Sequence, residues 1–419
     1  MSFSSLGLSP ALLRALKSKG YSVPTPVQSA AIPAGIAGRD VLGSAQTGSG
    51  KTVAFALPLL QRFDGSPATQ PRLIKALVLV PTRELAAQVG ESFRELASHL
   101  PHPPHLASAV KVTVVFGGVS INPQMLGLRG GTDIVIATPG RLLDLIDHNA
   151  IKLNSVQTVV LDEADRLLDL GFSEELGRIF SLLPKQRQHL FFSATFPPAV
   201  ERLANALLHD PVRVAVETTP DSAPDIAQRA ILVDAPKRTQ LLRHLIDTNA
   251  WQRVLVFVAT KHAAEIVAEK LRKARINAEP FHGELSQGKR TQVLADFKAS
   301  RLRVVVATDV ASRGIDIAEL PVVVNFDLPR SADDYTHRVG RTARAGESGI
   351  AMSFVIAATE PHFFLIRKRQ GLAIELEHIS GFEAMELPST APRGDGGIKG
   401  ARPNKKDKLR AASINASKP

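Results

Sequence analysis

The run Ala45-Gln46-Thr47-Gly48-Ser49-Gly50-Lys51-Thr52 joins small residues, one lysine and one hydroxyl in an order suited to a chain of phosphates. Glycines let neighbouring backbone N–H groups converge on one anion, and a helix start adds partial positive charge. In that setting Lys51 would reach the terminal phosphates and the Thr52 hydroxyl a magnesium ion. Ala45 stands where the generic pattern has its first glycine. A second constellation, Asp162-Glu163-Ala164-Asp165, follows the apolar run Val159-Val160-Leu161. Acids at the carboxyl end of a strand can complete a magnesium site and orient or deprotonate a water. Acids opening a helix can equally be charge that complements its N-terminus. Paired with the phosphate loop, hydrolysis of a nucleoside triphosphate is the stronger account. Upstream, Gln28 offers a donor and an acceptor together, which suits an adenine edge, and Tyr21 offers a stacking face.

These residues need rigid elements under them. Short apolar runs at 76–80, 110–116, 133–137, 156–161 and 189–192 predict strands, with a helix over 84–96. After the Pro- and Asp-rich stretch 217–225 the alternation resumes, with strands at 254–258, 303–308 and 322–326 and a helix over 261–275. Strands alternating with helices predict an α/β chain of mostly parallel sheets flanked by helices. The expected division is 1–216, a linker at 217–225, a second domain at 226–380 and a disordered basic tail at 381–419. The segment His99–His105 holds three histidines among prolines but has no nearby carboxylate, and is read as a loop rather than a metal site.

With 419 residues, two domains are expected, and 44% hydrophobic against 22% charged residues is a soluble globular balance. The formal charge of +11 points to a polyanionic partner, with nucleic acid ahead of an anionic membrane. Residues 393–418 carry eight Lys or Arg against two Asp, which concentrates that excess in the tail. The absence of cysteine excludes disulfides and thiolate metal sites. Neither a signal-peptide pattern nor an apolar run of about 18 residues occurs, so the expectation is a cytoplasmic, monomeric protein with no membrane partner.

The ordered motifs resemble those of the DEAD-box ATP-dependent RNA helicases, bacterial type with a short basic C-terminal tail. They are Gln28, the phosphate loop, Pro81-Thr82-Arg83-Glu84-Leu85, Gly117-Gly118, Thr138-Pro139-Gly140-Arg141, Asp162-Glu163-Ala164-Asp165 and Ser193-Ala194-Thr195. In the second half they are Val256-Phe257-Val258, Thr308 through Asp316 and His337-Arg338-Val339-Gly340-Arg341. The resemblance implies two tandem RecA-like domains and an RNA-stimulated ATPase using ATP and Mg2+. Such an enzyme separates short RNA duplexes or remodels RNA–protein complexes, with ribonucleoprotein partners, by closing its two domains on single-stranded RNA.

Roles follow by the same resemblance. Phe3, Tyr21 and Gln28 would serve the adenine; Gln46, Thr47, Gly48, Ser49, Gly50, Lys51 and Thr52 the phosphates; and Asp316 the ribose. Thr52 and Asp162 would hold magnesium largely through water, and Glu163 the attacking water. Arg341 and Arg344 would be fingers on the transferring phosphoryl group, while Asp165, Ser193 and Thr195 would couple hydrolysis to strand separation. RNA contacts are expected at Pro81, Thr82, Arg83, Gly118, Thr138, Gly140 and Arg141, and from the second domain at Thr260, Thr308 and Arg313. Few aromatic residues are placed to stack bases, so the grip is expected on the backbone.

Two details complete the expectations. Ala343 replaces the glycine common before the last arginine of Arg341-Thr342-Ala343-Arg344 and is expected to keep a helix. The segment Gly283–Lys289 mimics a phosphate loop, but Arg290 fills the place of the magnesium hydroxyl. It is read as a structural turn supporting the second domain, with one ATP per chain. Two rivals stay open: an ATP-gated RNA clamp, and a DNA translocase of the wider helicase superfamily.

Overall fold

Mostly apolar strands build two sheets, because strands covered on both faces need no polar alternation. The computed structural model describes residues 2–45, 49–64, 71–102, 108–215, 226–309, 320–343 and 348–385. The first lobe holds β1 (Val41–Ser44), β2 (Ala76–Leu79), β3 (Val112–Val115), β4 (Ile134–Ala137), β5 (Thr158–Leu161), β6 (Gln188–Ser193) and β7 (Val212–Ala215). The second holds β8 (Ile226–Leu232), β9 (Val254–Val258), β10 (Ala278–Phe281), β11 (Val304–Thr308), β12 (Val322–Asn325), β13 (Gly349–Val355) and β14 (Leu376–Glu377). Among the described residues the strand orders are β3-β4-β2-β5-β6-β1-β7 and β10-β11-β9-β12-β13-β8-β14, and the paired strands run parallel. The expectation of two RecA-like domains, each a mostly parallel sheet flanked by helices, holds.

Each sheet is covered by helices on both faces. One core of the first lobe centres on Phe55, Phe93 and Phe192, with Phe55 5.6 Å from Phe192 and 6.1 Å from Phe93 between ring centroids. The other face is filled by Leu77, Leu79, Leu142, Leu161 and Phe191. In the second lobe Val254, Val256, Val304 and Val306 turn to one face, while Leu255, Phe257, Val305 and Ala307 turn to the other. Because every paired strand runs the same way, all of the strand ends that lead into the motifs lie on one edge of each sheet.

Pro280 sits in β10, an edge strand whose missing N–H breaks no ladder. Two differences from expectation have local causes. Ala343 does not continue a helix: the helix Ala332–Val339 ends at Gly340, and Ala343 has φ +52°. The folded chain also runs past the expected boundary at 380. Phe382 packs 5.3 Å from the His244 ring between centroids, and the Met385 N–H donates to Asp234 Oδ1 at 2.9 Å. The expected linker and most of the expected tail lie outside the described residues. Among the described residues no helix is long and apolar enough to cross a membrane.

Candidate nucleotide and strand-binding site

The strand β1 leads to the phosphate loop, and the helix Lys51–Gln61 leaves it. Of that loop, Gln46, Thr47 and Gly48 lie outside the described residues. Gly50 caps the helix with φ +87°, a left-handed backbone in which a side chain would be strained, and a Cβ there would run into the Gln28 amide. The helix Pro26–Ile36 supports the loop from the side through a capping box. The Thr25 N–H donates to Gln28 Oε1 at 2.9 Å, the Gln28 Nε2 donates to the Gly50 carbonyl at 3.1 Å, and the Thr25 hydroxyl donates to the Ser49 carbonyl at 2.8 Å. Gln28 thus binds its own helix cap at Thr25 through Oε1 and the loop at Gly50 through Nε2. Tyr21 is exposed, whereas Phe3 is 5% exposed and its ring is taken up by the core, so it presents no free stacking face.

Lys51 and Thr52 open the helix, and the Lys51 side chain is buried. Its ammonium makes no hydrogen bond among the described residues and lies 3.9 Å from Asp162 Oδ1. Asp162 stands just past β5 and is equally buried. Burial pushes its carboxyl up to about 6, against the pull of Lys51, and the neighbouring Glu163 adds to the rise. An ammonium buried without a hydrogen bond among the described residues, beside a carboxyl that burial disfavours as an anion, is a pair suited to meet further charge. Asp162 Oδ1 accepts the Glu163 N–H at 3.0 Å, and Glu163 takes φ +52° before the helix Ala164–Asp169 begins. That strained backbone sets the acid at the edge of the site rather than on a helix face.

Asp165 turns toward β6. Its Oδ2 accepts the Thr195 N–H at 3.0 Å and the Thr195 hydroxyl at 2.7 Å, while its own N–H donates to Ser193 Oγ at 3.2 Å. The Ser193 hydroxyl in turn donates to the Thr195 carbonyl at 2.7 Å. The three residues expected to act together are one hydrogen-bonded cluster.

Along the same edge, Thr82 caps the helix Arg83–Ala97, its hydroxyl accepting the Leu85 N–H at 3.3 Å, and Thr138 holds the N-cap position of the helix Pro139–Asp147 without a side-chain capping bond. Gly118 has φ +78°, and a Cβ there would strike the Arg83 guanidinium. Arg141 is 8% exposed; its Nη2 donates to the Val119 carbonyl at 2.7 Å, and its Nε and Nη1 make no hydrogen bond among the described residues. Pro81 precedes Thr82 at the end of β2, and Gly140 lies in the first turn of the Pro139–Asp147 helix. On the second lobe Thr260 caps the helix Lys261–Lys273, its hydroxyl accepting the Ala263 N–H at 3.1 Å, and Thr308 ends β11. Arg313, Asp316 and Arg344 lie outside the described residues.

The lobes meet across the cleft. Arg166 Nη1 donates to Asp334 Oδ1 at 3.0 Å, and Arg290 Nε donates to Glu84 Oε1 at 2.8 Å with both side chains buried. Arg290 therefore does not merely support the second lobe. It sits in the first turn of the helix Gln287–Lys298, which Ser286 caps, donates through Nη1 to the His282 carbonyl at 3.1 Å and reaches into the first lobe, so the phosphate-loop mimic is a turn at Gly283–Leu285 that runs into a helix start. His337 is wedged beside this contact. Burial, with Arg166 and Arg341 adding positive charge, takes its imidazole down to about 3 against the pull of Asp165 and Asp334. Arg341 is 6% exposed and lines the same small gap as Arg166, Asp334 and His337. None of Arg166, Asp334 and the Glu84–Arg290 contact was assigned from sequence. Partners 168 and 206 positions apart leave no spacing signal.

Comparison with known proteins agrees in extent with this architecture. The DEAD/DEAH box helicase family model matches residues 25–203, and the helicase conserved C-terminal domain model matches residues 237–346. The DEAD-box ATP-dependent RNA helicase CshA of Bacillus cereus is 40% identical over 353 residues, covering 84% of this chain; the chain spans 65% of that relative's length. The ATP-dependent rRNA helicase rrp3 of Emericella nidulans is 42% identical over 355 residues, covering 84% of this chain and 74% of its own. Among solved structures, S. cerevisiae Dbp5 bound to RNA and ADP BeF3 superposes with a TM-score of 0.77 at 29% identity, covering 90% of this chain and 95% of the other.

Proposed function

The chain belongs to the DEAD-box helicase family, and we propose that it is an RNA-stimulated ATPase that closes its two lobes over a single strand and so separates short RNA duplexes or remodels RNA–protein complexes. The observation that carries this reading is the buried Lys51 ammonium, without a hydrogen bond among the described residues and 3.9 Å from Asp162. A triphosphate at the loop would supply the missing acceptors, and its binding would offset the burial cost of both groups.

Thr52 and Asp162 fit a magnesium ion, since one is a hydroxyl in the first turn after the loop and the other a buried carboxyl whose anion needs a cation nearby. When bound, magnesium neutralises charge on the terminal phosphates. The chain's own groups do the rest. Lys51 binds the phosphates, Glu163 orients the attacking water and takes its proton, and Arg341 and Arg344 bring positive charge from the second lobe. Gln28 holds the loop in register, and with Tyr21 it selects adenine; Asp316 would hold the ribose. A finger arginine supplied across a closing cleft is worth about three to five powers of ten in rate.

The strand would lie along the first-lobe edge that carries Pro81, Thr82, Arg83, Gly118, Thr138, Gly140 and Arg141, and would be met from the second lobe by Thr260, Thr308 and Arg313. Threonine hydroxyls, helix starts and arginines suit phosphate oxygens, so the grip follows the backbone rather than the base sequence. The Arg141 Nη1, which makes no hydrogen bond among the described residues, supports this path, while Nε stands 3.4 Å from Asp144 Oδ2.

The test is Glu163→Gln. Its expected result is ATP and RNA binding within about threefold of the parent and turnover lowered by at least about a hundredfold, the range of a lost general base. Normal turnover would remove Glu163 from the mechanism. Duplex release compared with RNA retention on a non-hydrolysable analogue separates an unwinding enzyme from a clamp. Deoxyribose in the loading strand separates an RNA enzyme from a DNA motor, which would keep its ATPase stimulation.

A further inference from the structure

Arg166 follows the acid cluster directly, yet its side chain does not serve the phosphates. It lies on the short helix Ala164–Asp169, it is 4% exposed, and it meets two carboxylates that belong to different lobes. Its Nη1 hydrogen-bonds Asp334 Oδ1 of the second lobe at 3.0 Å, and stands 3.6 Å from Asp169 Oδ2 on its own helix. The two acids differ in exposure: the Asp334 side chain is 15% exposed and the Asp169 side chain 57% exposed. Asp334 is also held from its own side, since the Ser331 hydroxyl donates to its Oδ2 at 2.9 Å and its N–H donates to Ser331 Oγ at 3.0 Å. It occupies the first turn of the helix Ala332–Val339, which carries His337 and leads directly to Arg341.

We propose that Arg166 is a closure latch, a positioning residue that exchanges its own-lobe partner Asp169 for Asp334 when the lobes close and thereby sets the register of the finger-bearing helix against the acids of the first lobe. The inference rests on the reading of the chain as a two-lobe ATPase and adds a residue and a direction to it. Coulomb attraction rises where water is excluded, so the exchange runs from an exposed carboxylate to a sheltered one as the cleft dries. An i, i+3 pair at 3.6 Å with an exposed acid is a weak holder, so little opposes the exchange. The latch lies one residue beyond Asp165, whose carboxylate is bonded to Thr195, so movement of the second lobe is felt by the coupling cluster through one backbone step.

The test uses the whole chain. Because it contains no cysteine, Lys152→Cys and Lys273→Cys place a donor and an acceptor dye on the two lobes with no background labelling. Closure is followed with ADP–beryllium fluoride and a single-stranded oligouridylate. In Arg166→Ala the RNA concentration for half-closure rises on the order of tenfold to a hundredfold, the range for breaking one partner of a largely desolvated charge pair. Binding of a fluorescent ADP without RNA stays unchanged, since the latch does not touch the loop. Asp334→Asn gives the same shift, and the double variant is no worse than the worse single one, as a shared interaction requires. Asp169→Asn moves the half-closure concentration the other way. An unchanged half-closure concentration in Arg166→Ala and Asp334→Asn overturns the latch, and so do additive effects in the double variant. Should Arg166→Ala lose ADP binding through misfolding, Asp334→Asn and Asp169→Asn decide the matter alone, by whether they shift in opposite directions. Parent protein that shows no closure with RNA and nucleotide together overturns the two-lobe reading itself.

Discussion

Three residues carry burdens that their types alone do not announce. Ala343 holds φ +52°, where a Cβ costs about 1 kcal/mol relative to glycine. The usual glycine at this place is therefore a backbone requirement, and alanine tolerates it at a cost. Ala343→Gly is expected to raise Tm by about 2–4 °C in a scanning melt, and an unchanged or lower Tm would show that the turn is relaxed as it stands. His189 is buried on β6 with Nδ1 lacking a partner among the described residues. Burial, aided by Arg187, takes its pKa from 6.5 to about 4, against the pull of Asp40. The unfolded chain then binds a proton that the folded chain refuses, so stability rises with pH between about 4 and 6.5 and is lost on acidification through that window. The full effect is about 3 kcal/mol. In His189→Phe, denaturant melts at pH 4.5 and 7 should differ less than in the parent; an unchanged difference would place the acid sensitivity elsewhere. Glu163 is the third, its left-handed backbone placing a carboxylate where a helical residue could not.

At the scale of elements, the working parts are strand ends joined to helix starts. Thr82, Thr138 and Thr260 each hold the N-cap position of the helix after a strand, so one residue type marks the strand-to-helix joints along the proposed path of the RNA. The cluster on β6 has a different task. Thr195 reaches Asp165 through both its N–H and its hydroxyl. Thr195→Val keeps the backbone bond and removes the hydroxyl bond, which as a contact to a charged group is worth about 1.5–3 kcal/mol. Duplex separation is expected to fall about tenfold or more while RNA-stimulated ATP turnover falls less than threefold. Equal losses in both assays would make the cluster part of the chemistry rather than of the coupling. Elements of this kind were legible in the sequence where the run was short, β-branched and closed by a motif, as at Val159–Leu161 or Val254–Val258. The strands β8, β10 and β13 were not. Gln228 and Arg229, Pro280, and Gly349 with Ser353 interrupt their apolar runs, and only the tertiary context makes strands of them.

For the whole molecule, the two lobes matter less as separate folds than as two halves of one set of charges. What can be read along the chain is the first half: Lys51, Asp162, Glu163 and the cap at Gln28 lie in or beside compact motifs. The second half depends on residues brought from far away, and neither Arg166 with Asp334 nor Glu84 with Arg290 leaves a trace in spacing. Sequence motifs named Arg341 but could not say that it would share a gap with Arg166 and His337. The central claim is that one triphosphate is surrounded by both lobes. The most direct measurement is a structure of the full chain with single-stranded RNA and a non-hydrolysable ATP analogue, in which the distances from the Arg341 and Arg344 guanidinium groups to the terminal phosphate held by Lys51 are read. The expected result is direct contact, at about 2.7–3 Å for a charge-assisted hydrogen bond. Both arginines standing beyond about 8 Å, a full Debye length at physiological salt, would contradict it.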